Sequence, residues 1–376
     1  MGALRFYLVA GEASGDRLGA ALMRGLKSEA TENIEFYGVG GPLMMAEGLT
    51  SLFDMNELAV FGLLEVLPKY RHLKRRMQQV AEDVLAKAPD ALITIDSPGF
   101  CLRLAAKVRG EFKGKIIHYV APSVWAWKPG RAEKMARHVD HVLALLPFEP
   151  PYMQAAGMSC DFVGHPVVAE PLPRPEAVAE MQEKGRLITL LPGSRMGEIS
   201  RLAPLFFEVA KRIEGYRFAI PVAGVHLVEP LERMLKRSGL EAELILPESG
   251  LKTTVFAASE LALAASGTVS IELAAVGTPM VIGYKINWLS AAIMRRMMLA
   301  PSFTLVNLLT GSKAVPEFEP RDCTVENLYG AMKRLLEDPA ARAAQIKTGQ
   351  QAIKALGKGG GDPGLRAARA VLAAIR

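Results

Sequence analysis

Two short stretches have residue types and spacing suited to chemistry. In ITIDSPGF (Ile93 to Phe100) an apolar run ends in Asp96. Open α/β sheets bind ligands beyond the carboxyl ends of their strands, and a carboxylate there can serve as general base. Capping a helix after Pro98 is the plainer use of the same residue. In LPGSRMGEI (Leu191 to Ile199) an apolar run turns through glycine into a helical pattern. Gly193 permits close backbone approach. The amides of Ser194 and its neighbours, at a helix N-terminus, suit an anion. Arg195 adds a planar fork of donors that matches phosphate. An ordinary turn with a surface arginine is the alternative.

Other candidates lie around these two. ASGTVSIE (Ala265 to Glu272) repeats the small-residue helix entry with Ser266, Gly267 and Thr268. Glu272, about one turn further, is placed to accept ribose hydroxyls or to sit on a solvated face. Asn307 and Glu317 occupy a loop-rich stretch where turn and cap roles are common. GEASGD (Gly11 to Asp16) is not a G-x-G-x-x-G fingerprint. Its Glu12, Ser14 and Asp16 suit hydroxyls or amides, or a helix cap. APSVWAWKPGR (Ala121 to Arg131) presents Ser123, Trp125, Trp127, Lys128 and Arg131, a set for a sugar face and a phosphate, or for packing.

The elements that must position these residues follow an alternating pattern, which specifies parallel α/β sheets. Strands are expected at Arg5–Ala10, Ile34–Val39, Ala91–Ile95, Lys115–Val120 and His141–Leu145. A second series runs Leu187–Leu191, Arg217–Val222, Ala242–Leu246, Leu261–Ala264 and Met280–Tyr284. Helical patterns between them include Leu18–Lys27, Lys69–Lys87, Ile199–Ile213 and Val325–Glu337. The proline-rich stretch Gly164 to Val178 reads as a linker. The expected organisation is two Rossmann-like α/β domains facing a cleft, 1–168 and 169–340. Helices over 341–376, broken at GKGGG, return to the first domain or swap between subunits of a homodimer.

Composition narrows the classes. The chain has 376 residues, half of them hydrophobic, and a net charge of +6. That supplies two cores. The basic balance fits phosphate-bearing substrates or an anionic membrane surface. Nucleic acid is disfavoured because the cations are not interleaved with stacking aromatics. Three scattered cysteines make neither a disulfide framework nor a zinc site. No secretory signal or transmembrane stretch is expected. Leu58 to Leu67 is apolar but for Glu65 and contributes Val60, Phe61, Leu63, Leu64 and Leu67 as membrane or acyl contacts. Pro68 should start a helix carrying Lys69, Arg71, Lys74, Arg75 and Arg76, cations suited to an anionic leaflet. The line Tyr70, Leu73, Met77, Val80 and Val84 is expected to be core. Trp288 to Ala300, with Arg295 and Arg296, is a second apolar–basic stretch.

GEASGD, IDSPGF, PSVWAWKPGR, LPFE (Leu146 to Glu149), GHP, LPGSRMGEI, SGTVSIE and VPEF occur in this order along the chain. Together they resemble the lipid-A-disaccharide synthases. The resemblance implies a GT-B fold and a peripheral place on the cytoplasmic face of a bacterial inner membrane. It implies inverting transfer of diacylglucosamine from UDP to the 6-hydroxyl of 2,3-diacylglucosamine 1-phosphate. Asp96 would be the base. Arg195, with Gly193 and Ser194, would hold the diphosphate. Ser266, Gly267, Thr268, Glu272, Asn307 and Glu317 would surround the UDP. Glu12, Ser14, Asp16, Ser123, Trp125, Trp127 and Arg131 would face the acceptor. No Asp-x-Asp pair occurs in the sequence, and neither metal nor cofactor is expected. Gly99, Cys101, Glu319 and Pro320 depart from the family's usual residues. A UDP-N-acetylglucosamine 2-epimerase-like enzyme and a UDP-binding membrane scaffold stand as alternatives.

Overall fold

The structure is a computed structural model; it describes residues 3–58, 63–128, 130–286 and 300–376, with side chains 63–70 outside the description. The chain divides into two compact units. The first comprises Met1–Ala169 and Leu356–Arg376, the second Glu170–Ala355.

The first unit is a seven-stranded sheet in the order β3-β2-β1-β4-β5-β6-β7. Its strands are β1 (Leu4–Ala10), β2 (Ile34–Val39), β3 (Thr50–Ser51), β4 (Ala91–Ile95), β5 (Lys115–Tyr119), β6 (His141–Ala144) and β7 (Ser159–Phe162). All pair in parallel. Central parallel strands are covered on both faces, so they read as unbroken apolar runs; all of β4, Ala91 to Ile95, is buried. The helices are α1 (Ala13–Glu29), α2 (Pro42–Ala46), α3 (Leu63–Lys87), α4 (Pro98–Val108), α5 (Arg131–Ala136) and α6 (Pro150–Ala155).

The second unit opens with α7 (Pro175–Glu183), whose Pro175 takes the first helical position within the proline-rich stretch. Its sheet has the order β10-β9-β8-β11-β12-β13. The strands are β8 (Leu187–Leu191), β9 (Arg217–Pro221), β10 (Glu243–Ile245), β11 (Leu261–Ala265), β12 (Met280–Gly283) and β13 (Glu317–Phe318). The helices bearing on the site are α8 (Met196–Lys211), α9 (Val228–Ser238), α10 (Lys252–Ala258) and α11 (Val269–Ala275). Counted within this unit, the strand order is 3-2-1-4-5-6, the doubly wound arrangement whose order reverses beside its first strand.

Three expectations are modified. Helix α3 begins at Leu63 rather than at Pro68, which falls inside it. Its apolar line divides: Val80 and Val84 are fully buried, while Leu73 and Met77 are partly buried at the edge of the core. The segment 341–376 is split between the units. Helix Pro339–Ala355 belongs to the second because Gln345 bonds the backbone N–H and C=O of Met280 and the carbonyl of Ala314. Helix Pro363–Ile375 lies on α1. A Cβ on Gly25 would come within 2.5 Å of the Gly364 carbonyl oxygen, so the two backbones meet almost directly.

Candidate active site

In the first unit the strand order reverses between β1 and β4. Residues following those strands line the crevice where such sheets bind ligands. Ala10 pairs with Ile95, which puts Gly11–Glu12 beside Asp96–Ser97. The approach is close: a Cβ on Gly11 would lie 2.7 Å from Ser97 Oγ. Asp96 and Ser97 both have left-handed backbone, with φ of +50° and +43°. Two successive non-glycine residues in that region cost energy and are held only by their surroundings. The Asp96 N–H donates to the Tyr119 carbonyl at 2.9 Å. The residue capping α4 is Ser97, and no side chain makes the capping bond. Burial raises the Asp96 carboxyl above the usual aspartate range, against a smaller opposing effect from the Ser97 N–H. No cation pairs with Asp96 among the described residues.

Next to this turn is a cavity of about 800 Å³ between α3 and α4. Glu12 and Ser97 reach it from the strand ends. Leu58, Leu73, Met77 and Phe100 give it apolar walls, and Arg71, Lys74, Arg75, Arg103 and Lys107 give it cations. Arg76 and His72 are withdrawn from the basic run: both bind Glu57, Arg76 through two bonds of 2.7 and 2.6 Å. Val60 and Phe61 lie outside the described residues, as do the side chains of Leu63, Leu64, Leu67 and Lys69 and most of Trp288 to Ala300.

The remaining first-unit candidates separate. Glu12 is half-buried and Ser14 exposed at the start of α1. Asp16 is withdrawn from the acceptor set. It is 2% exposed, and its carboxylate accepts the N–H groups of Gly41, Leu43 and Met44 at 2.9–3.0 Å. It caps α2, satisfying amides that a helix leaves open. Ser123 is exposed. Trp125 packs edge-on against Phe148 and donates from Nε1 to Glu149 at 3.3 Å. Trp127 is exposed, with Lys128 and Arg131 over its ring. Glu149 is outside the expected site residues, yet it is a buried carboxyl whose burial pushes its pKa up to about 7. Its only sequence signal is the LPFE run. Cys101 lies under Asp96 in the core, so its departure from the family pattern concerns packing. Gly99 is exposed.

In the second unit the order reverses between β8 and β11, the strands that lead into PGSR and ASGT. Leu191 pairs with Ala264, so the two turns are neighbours. Gly193 has φ of +127°, and a Cβ there would strike Glu198 at 2.6 Å. Glu198 accepts the Ser194 N–H at 3.1 Å and lies 3.8 Å from Arg195 Nη1. A carboxylate of the chain itself thus stands on the donors suited to an anion. Arg195 is exposed, as are Gly267 and Thr268. Glu272 pairs with Lys252 of α10.

Three residues of the expected UDP set hold the backbone on either side of helix Leu305–Thr310, two of them the loop ahead of it and one the stretch after it. Ser266 Oγ donates to the Phe303 carbonyl at 2.9 Å. Glu317 Oε2 accepts from Ser302 Oγ and the N–H groups of Phe303 and Thr304. Asn307, 1% exposed, spends its amide on both backbone groups of Val315. Asn307 is therefore withdrawn as a direct ligand, because both polar atoms are occupied internally.

Solved structures share this architecture. A putative UDP-N-acetylglucosamine 2-epimerase from Listeria monocytogenes aligns at TM-score 0.64 and 16% identity, over 100% of this chain and 96% of that one. A glycosyltransferase from Rickettsia africae aligns at 0.58 and 12%, over 100% and 98%. At such identities the likeness concerns fold alone, and it gives the chain the two-unit α/β fold of the GT-B type. The family model described as Lipid-A-disaccharide synthetase matches residues 6–361. Lipid-A-disaccharide synthase of Ruegeria pomeroyi is 49% identical over 98% of this chain and 95% of its own length. That of Rhodospirillum centenum is 43% identical over 99% and 95%. The chain belongs to the lipid-A-disaccharide synthetase family and is a glycosyltransferase of lipid A biosynthesis.

Proposed function

We propose that the α3–α4 cavity takes 2,3-diacylglucosamine 1-phosphate, that Asp96 is the general base, and that the paired turns after β8 and β11 take the UDP of the diacylglucosamine donor. The observation that carries this reading is the position of Asp96. It is a partly buried carboxyl without a cationic partner among the described residues, at the strand-order reversal and next to a cavity that is both apolar and cationic. Apolar walls suit acyl chains, and arginine and lysine suit the acceptor phosphate.

The acceptor 6-hydroxyl attacks the anomeric carbon and its proton passes to Asp96. The carbon–oxygen bond to UDP breaks as the new bond forms on the opposite face, through a transition state with oxocarbenium character. Departing UDP gains negative charge. The amides of the Gly193–Met196 turn and Arg195 would hold that charge with fixed donors. Glu272, Gly267 and Thr268 are the remaining donor-side candidates. Ser266 and Glu317 contribute by fixing residues 302–304. Cations of α3 at the cavity mouth would also meet anionic lipids on the inner face of the membrane.

The test is incubation of wild type and Asp96→Asn with UDP-diacylglucosamine and the monosaccharide 1-phosphate, with and without EDTA. Turnover should fall roughly 10²- to 10⁴-fold in the variant, and wild-type product should form despite the chelator. A folded Asp96→Asn protein with wild-type turnover removes Asp96 from the base role.

A further inference from the structure

The α3–α4 cavity has a neighbour on the other side of α4. A second groove, of about 520 Å³, runs between α4 and α5. Both are lined by Pro98, Gly99 and Arg103, so both reach the first turn of α4. The ridge between them is low: residue 99 has no side chain, and a Cβ there would meet nothing within 4 Å. The second groove has an apolar floor in which Met135 and Val139 are buried, and exposed Ala106 flanks it on α4. Its rim is cationic, with Arg131 and Lys134 joining the shared Arg103.

We propose that the second groove holds the second acyl chain of a doubly acylated, phosphate-bearing acceptor whose first chain lies in the α3–α4 cavity. The proposal rests on the acceptor-site reading above and extends it to where each of the two chains lies. A lipid whose two chains leave adjacent positions of one sugar is the complement of two apolar channels that diverge from one turn. A single-chain ligand would fill one channel. A free phosphate would use the rims and leave both floors in water. The volume lies in the range of small-ligand pockets, and the cations at both rims match one anionic head between two chains.

The test uses the full-length enzyme and two acceptors, the diacyl monosaccharide 1-phosphate and its monoacyl counterpart. Ala106→Trp places a ring over the groove from an exposed helix position. It should lower kcat/KM for the diacyl acceptor at least tenfold and change the monoacyl value less than twofold. Met77→Trp, in the first cavity, should slow both. Loss of Met77→Trp sensitivity for both acceptors would overturn the acceptor-site reading itself. If Met77→Trp slows both while Ala106→Trp slows neither, or slows both equally, only the second-groove proposal falls. It falls too if Ala106→Trp weakens flotation with phospholipid vesicles and leaves chain selectivity intact, because the groove then takes a bilayer lipid.

Discussion

Several side chains in this protein do something other than their residue type suggests. Glu198 sits where a phosphate oxygen would be welcome, on the Ser194 N–H and near Arg195. On the proposed reading, a ligand anion would displace it. Glu198→Gln should therefore tighten UDP binding several-fold, whereas Arg195→Ala should weaken it, both read by calorimetry; weaker binding in Glu198→Gln would make Glu198 a contributor rather than a competitor. Asp96 has its carboxyl pKa raised by burial. As the base it must be deprotonated, so the acid limb of kcat/KM should lie above the ordinary aspartate range near 3.9, and Asp96→Asn should abolish that limb. Glu149 is pushed from 4.5 to about 7 by burial. The folded state then holds a proton that the unfolded state has released, so stability falls as pH rises from about 4.5 to about 7. Glu149→Gln should remove that slope and gain at most about 3 kcal/mol above pH 7, measured by urea unfolding across pH.

The principal strands were legible in the sequence because buried parallel strands are continuous apolar runs; β4 and β8 match their expected bounds. Ser159–Phe162, Thr50–Ser51 and Glu317–Phe318 were not, since short strands away from the sheet centre carry no such run. The turns bearing Asp96 and Arg195 were visible because glycine and proline mark them. What sequence could not reveal is occupancy. Nothing near Asp16 says that three amides about 25 residues away will claim it, and Glu149 becomes notable only once packing buries it. Helix contacts were equally hidden. Gly25 and Gly364 let two helices meet at backbone distance. Gly25→Val should destabilise the first unit by about 1–3 kcal/mol through overpacking, seen as a lower denaturation midpoint, with no such loss for a valine at open Gly110.

For the molecule as a whole, the net charge of +6 matters less than its placement. Arg71, Lys74 and Arg75 are exposed near one cavity mouth. Attraction of roughly 1 kcal/mol per cation implies that replacing all three by alanine lowers affinity for anionic vesicles on the order of a hundredfold. Raising salt should weaken wild-type binding in the same direction. Flotation unaltered by either treatment would remove these cations from membrane attachment.

The division of the chain carries a consequence for its biosynthesis. Residues 356–376 belong to the same unit as residues 1–169, and α1 packs on the helix Pro363–Ile375. A ribosome delivers the whole second unit between these two pieces. The first unit must therefore wait, with one flank of α1 uncovered, until residues 170–355 have emerged. Its completion follows synthesis of the whole second unit, so residues 356–376 close a domain whose strand β1 is made before that unit begins.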